Sequence, residues 1–491
     1  MTATEAPQLT TAESEHVQCT AEAPERFFTA DRVVPAAAFA LLAPLYGVLS
    51  VMGHRQLRTS GFDLGIFVQQ ISSYAELRAP TSNLLGTGYN TLGDHFSPIT
   101  ALLAPVYRLF PSPETLLIAQ AVLFAAAAVP LTRWAVREFG TLVGVVVAVA
   151  YGLSWGVQAA LNFDFHEIAF AMPLLAMSMV ALGQNRWIPA LLWALPLVFV
   201  KEDMGLTVAA IGALVAFVTV GRNRVLGLLT IVWGLGWLLL AVKVIIPLLS
   251  SNDSYGQGSK MPPLGSGIAD TAHGFVAGDS RAATAFLLLA VTAFAALRSP
   301  LVLVVVPTVA WRFLSDNSNF WKPIYHYNAI LMVIVFAALI DAVARSRRHQ
   351  QLTERGRRTI FTAVAVVALV ALPFLPMARL VTADGWRTDP QATETAAIAT
   401  RIPDGDTIAA SNNLVPQFVA THDVSVFPQR STDTTTPDWI VVNRADPAGW
   451  PADEAGDTKA VDAALASGYV ISSESNGIEV LQRVTPLTQG N

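Results

Sequence analysis

Apolar runs long enough to cross or nearly cross a bilayer recur from about residue 33 to residue 379, divided by short polar turns, and no water-soluble core could absorb them all. An α-helix rises about 1.5 Å per residue, so about 20 apolar residues cover the hydrocarbon of a membrane. The runs lie at about 33–52, 115–134, 141–160, 168–183, 187–200, 204–220, 225–249, 282–297, 300–314, 326–344 and 359–379. They predict a polytopic α-helical membrane protein with about eleven transmembrane helices. The runs at 187–200 and 204–220 are short, and read as broken helices or one re-entrant pair. Composition agrees: 53% of the 491 residues are hydrophobic and 14% charged, against about 25% charged in soluble domains.

Basic residues sort by side. Arg133, Arg137, Arg186, Arg222, Arg224, Arg298 and the arginines from Arg345 to Arg358 all fall in short loops on one side of an alternating chain. Cytoplasmic loops carry such an excess. The N-terminus is therefore expected in the cytoplasm of a multi-pass plasma-membrane protein. Arg55, Arg58 and Arg78 lie in the long first outer loop, about 53–113, where the rule counts less. Residues 1–32, rich in Thr, Ala, Glu and Pro, read as a disordered cytoplasmic tail. They lack the basic start and short apolar core of a secretory signal, so the first run should be retained. The single cysteine, Cys19, excludes an intrachain disulfide and a cysteine zinc site. A net charge of −5 with no basic stripe argues against nucleic acid as a partner.

Past the membrane region, 33–379, the composition changes, and residues 380–491 read as an extracytoplasmic soluble α/β domain large enough to fold alone. Helices are expected at 394–402 and 459–467. Strands are expected at Thr407–Ser411, Val424–Phe427 and Trp439–Val442, with a hairpin of Tyr469–Ser473 and Ile478–Arg483 around Asn476-Gly477. In the first outer loop, Ser97-Pro98 and Ser112-Pro113 each resemble a capping residue before a first-turn proline. The piece Ile99 to Phe110 is too short to span and reads as an interfacial helix. Leu64 to Tyr74 is an amphipathic run, and the glycine-rich loop 250–281 reads as a lid ordered by ligand.

The chemistry-bearing residues gather on one side of this topology. Asp63, Asp94 and His95 lie in the first outer loop, Asp164, His166 and Glu167 after the third run, and Glu202-Asp203 between the fifth and sixth. Arg312 ends the ninth run, and Lys322 and His326 precede the tenth. Ionisable groups at the membrane are costly and mark a site. Blander readings stand beside this. Asp63 could cap the helix after it, Asp164 and Glu167 have capping-box spacing, His95 could be a loop histidine, and Lys201 could neutralise an adjacent acid. An acid-rich cavity suits either sugar transfer from a lipid phosphate, with a carboxylate as base, or a proton or ion relay. Asp94, His95, Asp164, His166, Glu167, Glu202 and Asp203 would contact acceptor or metal. The metal, Mg²⁺ or Mn²⁺, would sit on His95, Asp164 and His166, and activity should then fall on the acid side.

Five ordered stretches carry a resemblance: Gly61-Phe-Asp-Leu-Gly-Ile-Phe67, Gly93-Asp-His-Phe-Ser-Pro98, Phe163-Asp-Phe-His-Glu167, Val200-Lys-Glu-Asp203 and Tyr325-His-Tyr327. Over about residues 33–480 the chain resembles the family of predicted membrane proteins catalogued as domain of unknown function 2079, itself distantly similar to the GT-C glycosyltransferases. That resemblance implies a GT-C-like fold and transfer of sugar from a polyprenyl-phosphate donor outside the membrane. It also implies an acid just after the first span as catalytic base, the place of Asp63. No Asp-Asp or Glu-Asp pair follows the first run, which keeps Asp94 as a rival.

The leading expectation is an inverting membrane glycosyltransferase, with Arg312, Lys322 and His326 holding the donor phosphate. Its acceptor would be an envelope glycan, lipid or protein. A transporter or flippase of an envelope lipid or polymer is the alternative, although no internal repeat supports one. A non-catalytic envelope scaffold is the third reading.

Overall fold

Among the described residues, five helices are long and apolar enough to cross a membrane: Ala30–Arg55, Pro113–Phe139, Gly221–Leu249, His326–Arg348 and Glu354–Phe374. A sixth crossing forms if Thr141–Gly152 and Trp155–Phe163, bent by 41° at their junction, act as one broken helix. Shorter apolar helices, Ile168–Gly183, Trp187–Phe199, Met204–Val218, Ser280–Ala290 and Pro300–Leu314, occupy the remaining runs. By length and composition the helices thus supply five or six crossings, and the count of eleven rests on the apolar runs alone. The protein is a membrane protein with several spanning helices. The computed structural model describes residues 29–250, 255–429, 435–445 and 451–484, with Thr2 and Asp433. Cys19 and nearly all of the expected 1–32 tail lie outside the described residues.

Helix His326–Arg348 is the axis of the bundle, with 94% of its apolar window buried against 17% for Glu354–Phe374. Its run from Ala329 to Ile340 has no polar residue, as a helix enclosed on all sides requires. It packs on Ile168–Gly183 and Trp155–Phe163. Met204–Val218 and Gly221–Leu240 meet along two glycine pairs. A Cβ on Gly205 would stand 2.4 Å from the Gly234 carbonyl oxygen, and one on Gly212 2.7 Å from that of Gly227. Small residues at such a seam let backbones touch, which is how membrane helices associate without a hydrophobic driving force.

Between the first two long helices the chain makes the turn Gly61–Gly65, the helix Ile66–Ala75 and a two-stranded ribbon, β1 (Thr81–Ser82) with β2 (Tyr89–Asn90). Pro98–Leu103 and Ala104–Leu109 follow as two short helical turns, with Leu102, Val106, Leu109 and Phe110 exposed. Ser112 caps the next helix through the Glu114 N–H at 3.1 Å, whereas the Ser97 side chain makes no capping bond.

The C-terminal sheet has strands β3 (Thr407–Ser411), β4 (Asp423–Phe427), β5 (Trp439–Asn443), β6 (Tyr469–Ser475) and β7 (Ile478–Arg483) in the order β4-β3-β5-β7-β6. The β3 pairings are parallel, and β5–β7 and β6–β7 are antiparallel. The β6–β7 hairpin turns at Asn476 and Gly477, both at positive φ. Pro390–Arg401 and Glu454–Ala466 are the expected helices. Both sheet faces are covered, so its central strands are apolar on both sides. Ala409, Ile440, Val442 and Leu481 form one small core with Val461 and Ala464. Ile408, Val415, Phe418, Val441 and Val480 instead continue the core of the membrane helices.

Candidate active site

A cavity of about 680 Å³ opens at the end of the bundle where the Gly61–Gly65 turn, the 94–95 loop and the 201–203 turn meet. Asp63, Asp94, His95, Lys201, Glu202, Asp203, Tyr255, Lys260 and Tyr327 give it a charged side. Leu206, Leu238, Leu239 and Val242 give it an apolar one. Leu239 is 59% exposed on the surface of the Gly221–Leu249 helix, so the apolar wall continues onto the exposed face of that apolar helix.

The turn bearing Asp63 is wider than an α-helix, because Phe62, at φ −99° and ψ 82°, leaves the helical path before Ile66–Ala75 begins. The helix Ile66–Ala75 has Gly65 at its N-cap and no side-chain cap there. Asp63 Oδ2 lies 3.1 Å from Nε2 of His166. Burial works against ionisation of Asp63. The close approach of His166, with Lys201 and His95, outweighs it and holds the carboxyl below its ordinary value. Asp164 goes the other way: burial first, and then the Asp63 charge, push it well above the ordinary carboxylate range. Its Oδ2 accepts from the Ser60 N–H at 3.1 Å and the Ser60 hydroxyl at 3.0 Å. Two neighbouring acids are thereby pushed apart, Asp63 at the cavity downward and Asp164 upward, the kind of separation that lets adjacent carboxyls differ in role.

His166 is fixed from several directions. Its ring stacks on His326 with centroids 3.4 Å apart and on Phe163 at 5.4 Å. Its backbone N–H donates to Gln120 Oε1 at 3.0 Å, while Gln120 Nε2 donates to the Asp164 carbonyl at 2.9 Å. His326 is buried, and neither ring nitrogen has a hydrogen-bond partner among the described residues.

On the opposite wall, His95 Nδ1 pairs with Glu202 Oε1 at 2.8 Å. Glu202 also accepts from the Phe96 N–H at 3.1 Å and the Tyr255 hydroxyl at 3.0 Å. Burial and Lys201 oppose protonation of His95, yet Glu202 and Asp94 raise it to about 9. Against its own burial, Glu202 is drawn down to about 2 by His95. Asp94 Oδ2 stands 3.9 Å from His95 Nε2. Lys201 Nζ meets Glu167 Oε1 at 2.8 Å. Glu167 therefore answers a lysine, and neither it nor Asp164 completes a capping box, since Glu167 makes no side-chain cap. Burial raises Asp203 to about 6.

Three expected phosphate ligands have other surroundings. Arg312 is 1% exposed, and its guanidinium donates to the carbonyls of Phe320 at 2.6 Å and Tyr327 at 3.0 Å and to Asn328 Oδ1 at 2.9 Å. It holds the 315–328 loop and does not line the cavity. Lys322 is half-buried and donates at 3.2 Å to Oδ1 of Asn319, itself a cavity residue, without lining the cavity. His326 lies behind the wall, stacked on His166. The trio expected to hold a metal is likewise divided: His95 pairs with Glu202, Asp164 with Ser60, and His166 with Asp63. Among the described residues no three His, Cys, Asp or Glu side chains converge as a metal site.

Lys260 and Tyr255 are cavity residues that sequence reasoning did not single out, and Tyr327 entered it only as part of the Tyr325-His-Tyr327 stretch. Lys260 is the lone cation between Lys243 and Arg281, which was an available signal. The segment read as a lid contains a turn at Gly256–Lys260 and the helix Leu264–Ala277. The Lys260 carbonyl is tied to the Asp316 N–H at 3.0 Å and the Ser315 hydroxyl at 2.9 Å. Residues 251–254 lie outside the described residues.

A family model described as predicted membrane protein (DUF2079) matches residues 53–480. No curated protein matches the sequence. Among solved structures, the crystal structure of ArnT from Cupriavidus metallidurans bound to undecaprenyl phosphate is similar in fold, with a TM-score of 0.53 at 12% identity. The match covers 93% of this chain and 99% of that one.

Proposed function

The chain belongs to the DUF2079 family of predicted membrane proteins, and from that premise we propose that it is an inverting GT-C-type glycosyltransferase. It takes a sugar from a polyprenyl-phosphate donor and passes it to a cell-envelope acceptor on the extracytoplasmic face. In this reading the eleven apolar runs cross or enter the membrane with the N-terminus inside, and the C-terminal α/β unit lies outside with the cavity.

One observation carries the proposal. The cavity joins a charged side, with Asp63, Lys201 and Lys260, to an apolar wall of Leu206, Leu238, Leu239 and Val242 that reaches the exposed face of the Gly221–Leu249 helix. That is the polarity of a lipid phosphate, with its head in the charged end and its chain toward bilayer. The fold shared with ArnT, whose crystal structure holds undecaprenyl phosphate, supports the same reading.

The chemistry balances without a further reactant. The acceptor hydroxyl oxygen forms a bond to the anomeric carbon as the bond from that carbon to the phosphate oxygen breaks. Asp63, already ionised, takes the hydroxyl proton, and polyprenyl phosphate leaves with the bonding pair. A single displacement inverts the anomeric centre. Lys201 and Lys260 hold the phosphate, where a charge-assisted hydrogen bond contributes about 1.5–3 kcal/mol. In this reading no step is routed through a metal; among the described residues no three His, Cys, Asp or Glu side chains converge.

The test uses the full chain in lipid nanodiscs with a panel of polyprenyl-phosphate sugars and envelope extracts as acceptor. Release of polyprenyl phosphate by the wild type, lost in Asp63→Asn, is expected. Full activity in that variant would remove Asp63 from the role. Absence of both donor binding and release would overturn the reading in favour of transport or scaffolding.

A further inference from the structure

We propose that Asn412 is a positioning residue for Asp63, and that the chain reversal after β3 clamps the Asp63 turn in its working geometry. The proposal rests on the reading of Asp63 as base.

Strand β3 ends at Ser411, and the chain turns through Asn412 into the short helix Val415–Phe418. From that turn, the Asn412 carbonyl accepts the Gly61 N–H at 2.7 Å, and its side-chain Oδ1 accepts the Phe62 N–H at 3.0 Å. Helix starts leave their first N–H groups without intrahelical partners. Here a residue 350 positions away supplies them, in the place a local capping side chain would take.

The apolar half of the clamp is as close. A Cβ on Gly61 would stand 2.9 Å from the Val415 Cβ. One on Gly65 would meet Val415 Cγ1 at 3.0 Å and Leu84 Cδ1 at 2.8 Å. Glycines at both ends of the Asp63 turn thus let the C-terminal unit press directly on its backbone. Phe62, the residue whose N–H Asn412 holds, is the one that departs from helical geometry. Asp63 follows it, and its carboxylate must meet His166 at 3.1 Å. A misplacement of about 1 Å at a reacting group can cost about 10²-fold in rate. The C-terminal unit therefore sets the aim of the base, and acceptor or partner binding on that unit is coupled to the Asp63 turn through Asn412 and Val415.

A contact that only holds two parts of the protein together would predict a different pattern, and Asn412→Ala with Asn412→Asp separates the two. The aspartate keeps an oxygen acceptor for the Phe62 N–H and the alanine does not. In full-length protein in nanodiscs, hydrogen exchange at the Phe62 amide is expected to accelerate in Asn412→Ala and to stay protected in Asn412→Asp. Turnover of a polyprenyl-phosphate sugar is expected to fall about 10–100-fold in the alanine variant, with donor KM unchanged and recovery in the aspartate variant. Unchanged Phe62 exchange in Asn412→Ala overturns the clamp. So does a turnover loss that merely tracks the fraction of folded protein. If the wild type turns over no donor, the reading of the base fails, and the exchange measurement still decides the clamp.

Discussion

His166 Nε2 lies 3.1 Å from Asp63 Oδ2 while the His166 ring stacks on His326 at 3.4 Å. The carboxylate that faces the cavity is therefore aimed by an imidazole that cannot swing away, because its other face is occupied. His166→Phe keeps the ring stack and removes the contact to Asp63. Turnover is expected to fall roughly 10–100-fold, the equivalent of one hydrogen bond to a charged group, with little change in melting temperature. Wild-type turnover in that variant would show that the pair is structural only.

The ion pair of His95 and Glu202 makes a prediction for stability against pH. His95 is raised from 6.5 to about 9, so its contribution is fully present below pH 6.5 and is lost as pH rises through about 9. Glu202 is lowered from 4.5 to about 2, so its contribution is present above pH 4.5 and is lost as pH falls through about 2. The melting temperature of the wild type should exceed that of His95→Gln most between pH 4.5 and 6.5. The gap should close above pH 9. A gap that does not vary with pH would count against an ionic pair.

Lys201 and Glu167 form a pair in which the carboxylate side chain is 1% exposed and the lysine 12%. Removing one partner strands the other charge, at about 3–5 kcal/mol. Lys201→Met should therefore lower thermal stability in nanodiscs strongly, and adding Glu167→Gln should restore much of it. Equal melting of the single and double variants would contradict that coupling.

The glycine seam can be tested inside one helix pair. Gly205→Ala places a Cβ against the Gly234 carbonyl oxygen, and an overpacked contact costs about 1–3 kcal/mol. Gly236 has nothing within 4 Å of its would-be Cβ, so Gly236→Ala serves as the tolerated control. Thermal unfolding should separate the two variants; identical curves would mean that the seam opens freely.

Chelation should leave turnover unchanged, because His95, Asp164 and His166 each answer a different partner. The check is the donor-release assay with EDTA. Loss of activity restored by Mg²⁺ or Mn²⁺ would show that ligands converge once substrate is bound.

Much of this architecture was readable from local pattern. The hairpin at Asn476-Gly477 announced itself through turn residues between alternating strands, and the Pro113 helix through Ser112. Asp63, Asp94, His95, Glu202 and Asp203 share a cavity because topology put their segments at one end of the bundle. Arg312 defeated the same logic. A cation at the end of an apolar run looks available for an anionic ligand, but the 315–328 loop folds back and fills its donors with carbonyls. Asn412 was invisible for a related reason: its partners, Gly61 and Phe62, are distant in sequence and offer only backbone N–H groups. Lys260 sits in a segment without apolar periodicity, where nothing local indicates which way it faces.

Because Val415, Phe418 and Val480 belong to the same core as the membrane helices, the sheet is not a detachable module. Cut free near residue 380, it would present that greasy underside to water, and a fragment made for screening ligands would be prone to aggregate. A chimera that exchanges this unit for another must rebuild the underside and the Gly61–Gly65 turn together. Recombination points for chimeras therefore belong in neither segment alone.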